Sequence, residues 1–239
     1  MTLILLKEKY MKNTTNESGM VEVIIVFVIA LLVGMAGGYA IGHKKSTAST
    51  ASSATSVPTT ATKAADLRST LVMYGIEHMQ LTDQAVNAAL DGSKDAAATG
   101  AALYANGTDI GAAVGSIYGK DAETTFNTVW KLHLDQFVKY AVASSKGDTA
   151  GKTAALDAID SGYTKPLAQY LAKANPNLPE SALETGLRDH VAMTAKMIDL
   201  HVAGDYTAEA AELKTANAHL EGLFSTLAGG IVKQYPEKF

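Results

Sequence analysis

The sequence predicts an all-α protein: an N-terminal transmembrane helix, a flexible Ser/Thr-rich tether, and a six-helix bundle of three repeated antiparallel helical hairpins. Three observations carry this prediction. A charge-free apolar run lies near the N-terminus, a stretch of almost pure Ser, Thr and Ala follows it, and beyond that apolar residues recur with helical period and no strand alternation. The chain divides accordingly into a tail over 1–20, an anchor over 21–42, a linker over 43–64 and a helical body over 65–239.

From Val23 to Ile41 no residue is charged. At 1.5 Å per residue the run reaches roughly 28 Å, close to the hydrocarbon thickness of a bilayer. It reads as one membrane-spanning helix, with the lipid bilayer as the partner of residues 21–42. A cleaved signal peptide is the rival reading, with Val23 to Val33 as its apolar region and Gly38 and Ala40 near the cut; a start at Met11 would drop the preceding residues. Lys7, Lys9 and Lys12 on one side face Lys44 and Lys45 on the other, so basic charge does not settle the orientation. Gly34, Gly38 and Gly42 recur every fourth residue, a spacing that lets two membrane helices approach as a homodimer and that is also common in membrane helices without that role. His43 borders the span and is expected at the interface.

Ser46 to Lys63 is too polar and too small-residued to bury a core. As a coil of about 18 residues it spans on the order of 20 to 25 Å, enough to lift a domain clear of headgroups. Ser/Thr stalks of this kind belong mostly to the outer side of membranes. The expected location is therefore the cell membrane, single-pass, with the helical domain extracytoplasmic.

In the body, the first hairpin is expected over Asp66 to Leu90 and Asp95 to Tyr118, and the second over Ala122 to Ser145 and Thr149 to Ala174, with Pro166 a kink in its second arm. Asn175 to Pro179 is a loop that two prolines hold open, and the third hairpin runs over Glu180 to Ala203 and Thr207 to Gln234. Gly119, Gly147 and Gly204 sit where helix C-caps are expected.

Composition narrows the function. Net charge is −4 and the basic residues are thinly spread, which excludes a phosphate-backbone footprint, so no nucleic-acid partner is expected. Cys is absent, so any metal must be held by nitrogen, oxygen or Met sulfur. No Gly-rich phosphate loop follows a strand and no nucleophile elbow is present, which leaves catalysis uncertain and a non-enzyme the better expectation.

The repeat is the most informative feature. Superposing the first and third hairpins on His78 and His190 pairs Leu71 with Leu183, Glu77 with Asp189 and Thr82 with Thr194. A two-residue gap at the turn then pairs Leu103 with Leu213, Asp109 with His219 and Gly119 with Gly229. In the middle hairpin, His133 is the matching histidine, and the position corresponding to His219 falls near Gly162 and Tyr163. Each histidine shares a helical stripe with apolar residues: His78 with Leu71 and Leu81, His133 with Trp130 and Phe137, His190 with Leu187 and Met197, and His219 with Leu223 and Leu227.

Residues equally far from a hairpin turn lie at one height. His78 precedes Gly92 by the same interval at which His133 precedes Gly147 and His190 precedes Gly204. On the far side of the turns, His219 follows Gly204 at nearly that interval and Asp109 follows Gly92 at a slightly longer one. One layer of the bundle is thus expected to hold His78, Asp109, His133, His190 and His219. Unpartnered, each buried polar group costs about 1–3 kcal/mol. A transition metal ion (copper, zinc or iron) would satisfy them, since imidazole suits these ions and bundles build metal sites from inward side chains on facing helices. Met73, Met79, Met193 and Met197 would favour copper if their sulfurs reach the site. The competing reading is four ordinary core histidines bonded to carbonyls or to Thr82, Thr194, Tyr74 or Tyr140. His201 shares the His190 face but falls nearer the turn and is left out, while Glu77 and Asp189 are expected to face solvent. An open solenoid of hairpins is the alternative fold, and it would spread the histidines along a surface.

The segments Tyr74 to His78, Leu90-Asp91-Gly92, Ile117-Tyr118-Gly119, Trp130 with His133, Asn175 to Pro179, Ala218-His219 and Ile231 to Pro236 resemble a group of bacterial extracytoplasmic helical proteins that carry the name copper amine oxidase N-terminal domain, after a domain fused to some members. The resemblance covers nearly the whole body. It implies an extracytoplasmic helical module and leaves copper open, because nothing in the chain resembles amine oxidase catalytic machinery. The function expected is a membrane-tethered domain that binds a transition metal through the histidine layer for sensing, storage or delivery. The alternatives are a structural or interaction protein of the cell envelope with no metal, and a redox enzyme using the same layer.

Overall fold

The computed structural model describes residues 60–239. The expectations about the tail, the anchor, its orientation, the glycine-spaced dimer and His43 lie outside these residues. Among the described residues no helix is long and apolar enough to cross a membrane.

The helical body is present with the expected elements: α1 (Lys63–Leu90), α2 (Ala96–Tyr118), α3 (Lys120–Ser145), α4 (Thr149–Ile159), α5 (Lys165–Ala174), α6 (Glu180–Ala203) and α7 (Tyr206–Gln234). α4 and α5 are the halves of one arm, joined by a π-helical turn over Asp160–Thr164. Pro166 explains the turn. It lies in the first turn of α5, where a missing N–H does least harm, and the wider π register relieves the clash of its ring with a carbonyl one turn back. Starts are set by side-chain caps: Thr62 accepts from the Ala65 N–H, Asp148 from Gly151 and Asp205 from Ala208. Gly92, Gly147 and Gly204, at the three hairpin turns, take φ of +66°, +65° and +73°, the left-handed region that a side chain disfavours.

The helices close into a ring. α1 packs along α2, α2 along α3, α3 along α4, α5 along α6, α6 along α7, and α7 back along α1. This closure rules out the open solenoid among the described residues. The first arms α1, α3 and α6 also touch one another, so they meet at the centre, with the second arms filling the spaces between them. Small residues make the approach possible. A Cβ on Gly107 of α2 would stand 2.6 Å from the Trp130 indole of α3, and one on Gly75 of α1 would run into the Phe224 ring of α7. Gly107→Ala is therefore expected to destabilise the bundle by about 1–3 kcal/mol, read by chemical denaturation, because the buried indole has to shift.

His201 ties the turn end of the bundle together. Its Nε2 lies 3.0 Å from Asp91 at the end of α1, and its Nδ1 lies 3.1 Å from the buried Glu209 in the first turns of α7. Desolvation opposes its charge, but the two carboxylates outweigh it and raise its pKa, as expected for an imidazolium donating from both nitrogens. Its role is to join helix ends, in keeping with its omission from the histidine layer.

Candidate metal centre

α1, α3 and α6 each deliver one imidazole to the centre of the ring. His78, His133 and His190 are 1%, 0% and 2% exposed. Ring centroids lie 5.6 Å apart for His78 and His133, 5.7 Å for His78 and His190, and 6.4 Å for His133 and His190. One nitrogen from each falls within 4.8 Å of the other two, an arrangement that could hold a metal ion. Tetrahedral coordination at about 2.0–2.1 Å sets ligand nitrogens roughly 3.3 Å apart.

The hydrogen-bond inventory sets these rings apart from ordinary core histidines. Among the described residues, His78 Nδ1 and both nitrogens of His133 and His190 are buried and have no hydrogen-bond partner. Three of the four side chains that the ordinary reading offers are engaged elsewhere. Thr82 Oγ1 donates to the His78 carbonyl at 2.7 Å and Thr194 Oγ1 to the His190 carbonyl at 2.9 Å, so both hydroxyls serve their own helix backbone. The Tyr140 hydroxyl donates to Asp199. The Trp130 backbone, one turn before the ring, favours the charged form of His133 but makes no hydrogen bond to either ring nitrogen.

Burial sets the charge state. Desolvation lowers His78 to about 4, partly opposed by Asn106. Desolvation, and then the neighbouring imidazoles, hold His133 and His190 well below the ordinary value of 6.5. All three rings are therefore neutral at pH 7 and carry the lone pairs that a cation requires.

The walls are aromatic. Tyr163 lies flat on His133 with centroids 4.1 Å apart and an interplanar angle of 21°, and the chain's single Trp, Trp130, sits 4.7 Å from both His78 and His133. Tyr163 comes from the π turn, which carries it into the core. It occupies the repeat position that corresponds to His219, so the middle hairpin offers a stacking ring where the third offers an imidazole. Met79 and Met197 are buried among the core helices, whereas Met73 is 57% exposed and turned away.

Two of the five expected residues are placed elsewhere. His219 is only half-buried, and its Nε2–H donates to the Gly186 carbonyl at 2.8 Å. The level fits, since Gly186 lies one turn before His190, but the ring is tied to the α6 backbone there and does not join the cluster. It remains near enough to His190 to oppose a charge there. Asp109 is exposed at the rim of α2, where desolvation and the nearby Glu77 raise its pKa. Counting gave its level and not its direction, because the buried face of α2 runs through Leu103, Asn106, Gly107 and Ile110.

Asn106 is the residue that sequence reasoning missed. It is 2% exposed, lies on that buried face, and falls as far after Gly92 as His78 falls before it. Equal spacing marks the position, but an amide neither titrates nor ranks among the usual metal ligands. The chain matches no family model, no curated protein and no solved structure.

Proposed function

We propose that this chain is a membrane-tethered, extracytoplasmic helical domain that binds one transition metal ion through His78, His133 and His190, for sensing, storage or delivery. One observation carries the reading: five of the six ring nitrogens in a fully buried cluster lack a hydrogen-bond partner. At about 1–3 kcal/mol for each unpaired buried group, such a cluster is hard to account for by packing alone. A cation accepting three neutral imidazoles removes that penalty in one step. Three histidine ligands without thiolate fit copper, zinc or iron, and Met79 and Met197 make copper the first ion to try if either sulfur comes within reach. The apolar N-terminal run and the Ser/Thr stalk support the tethered, extracytoplasmic part of the reading, as does the resemblance carried by the body.

Trp130 provides a built-in probe, since it is the only indole and packs against two of the three ligands. In the full chain stripped with a chelator, copper(II) or cobalt(II) is expected to quench its fluorescence with a sharp end point at one equivalent. The His133→Ala, His190→Ala double variant is expected to lose that saturation. Absence of stoichiometric quenching by either ion and of calorimetric binding of zinc, or binding that survives the double change, would retire the metal reading in favour of an envelope interaction protein.

A further inference from the structure

Asn106 reaches the cluster from α2, and its amide nitrogen is fully committed. Nδ2 donates to the Tyr74 carbonyl at 3.2 Å and to Glu77 Oε2 at 3.0 Å, both on the turn of α1 that leads into His78. A carbonyl and a carboxylate only accept, so the nitrogen must face them and the amide cannot flip. Oδ1 is thereby directed away from both. It is buried and unpartnered, as is His78 Nδ1, and the Asn106 side chain is the polar group that acts on the His78 ring against desolvation.

We propose that Asn106 is the positioning residue for His78: Oδ1 accepts the N–H of one ring nitrogen, fixes the tautomer, and leaves the lone pair of the other nitrogen directed at the metal shared with His133 and His190. Histidine ligands commonly donate their second nitrogen to a carbonyl or carboxylate, which orients the ring and makes it more basic. Here an amide stands between the ring and the exposed Glu77. It relays a carboxylate's polarity inward without burying a second charge, which matters because none of the three imidazoles carries one to offset a dication. His133 and His190 have no such partner, so the three ligands are inequivalent and His78 is the one held ready.

The proposal rests on the metal reading for its purpose but not for its geometry, and the test separates the two. In the metal-free full chain, nitrogen NMR of the histidine side chains is expected to show His78 as one tautomer. Asn106→Leu should turn it into a mixture and weaken cobalt(II) binding about 10- to 100-fold, with altered visible bands. Glu77→Ala lies on the exposed rim, spares the core, and should broaden the tautomer ratio in the same direction even if Asn106→Leu folds badly. A His78 tautomer unchanged in both variants overturns the proposal, as does wild-type cobalt affinity in a folded Asn106→Leu chain. A parent chain that binds no cobalt, yet loses its fixed tautomer on Asn106→Leu, upholds the positioning and retires the metal reading alone.

Discussion

A His133→Leu chain is expected, when no metal is present, to lie between about 0.5 kcal/mol below the parent's stability and about 2.5 kcal/mol above it, while losing metal binding. Removing a polar residue from a well-made core ordinarily destabilises, because its partner is left bare. His133 has no partner to leave: both ring nitrogens are buried and unsatisfied. Replacing such a group with an apolar one of similar bulk removes a penalty of about 1–3 kcal/mol. The stack on Tyr163 is lost, which takes back roughly 0.5–1.5 kcal/mol. Chelator-treated protein unfolded in urea gives the first half of the prediction, and the Trp130 titration gives the second. With metal present the order should invert, since an ion at a hundred times its dissociation constant adds about 2.7 kcal/mol to the parent alone. A metal-free variant less stable than the parent by about 2 kcal/mol or more, the range of a broken buried hydrogen bond, would mean that His133 is held by an ordinary core interaction.

The second large effect is acid lability. The buried histidines have folded-state values depressed from 6.5, to about 4 for His78 and well below 6.5 for His133 and His190. Below about pH 6.5 the unfolded chain therefore takes up protons that the folded chain refuses. The stability they contribute is complete above that pH and is lost as pH falls toward 4. Each ring supplies a slope of about 1.4 kcal/mol per pH unit, so three supply about 4. Asp83 works the other way, because desolvation and the adjacent Glu209 push its carboxyl up to about 6. His201 adds nothing in this window, since its raised value keeps its contribution intact below 6.5. Against the lower end of the usual total stability, about 5 kcal/mol, the remaining slope is enough to unfold the metal-free bundle in one transition as pH falls toward 4. Circular dichroism against pH should show that transition, and bound zinc should move it to lower pH. A flat profile down to pH 4 would show that the rings are not buried neutral in solution.

The fold was legible because its strongest signals are local. Helical period, the glycine turns and the Asn175–Pro179 break each act over a few residues, and the observed ends fall within three residues of those expected. The histidine layer was legible for a different reason: three first arms with the same count to their turns arrive at one level in any closed antiparallel bundle. What counting does not supply is rotation about the helix axis. Asp109 and Asn106 differ by three residues in α2, and only the second lies on the buried face. Nor does counting give reach: His219 is tied to the Gly186 carbonyl, a partner on the neighbouring helix that its own helix does not reveal. The π turn was read as a kink at Pro166 because proline marks where regular bonding fails and says nothing of how the backbone repairs it.

The contact of α1 with α7 bears on how the protein is made. Helices lying side by side in the finished body are the first and last of it to leave the ribosome, and the three imidazoles come from the first, second and third hairpins in turn. A chain halted after two hairpins would carry two of the three rings and no closing helix, so partly synthesised or clipped products should capture no ion. If the cluster holds a metal as proposed, loading is confined to completed molecules, a form of quality control set by the order of the chain.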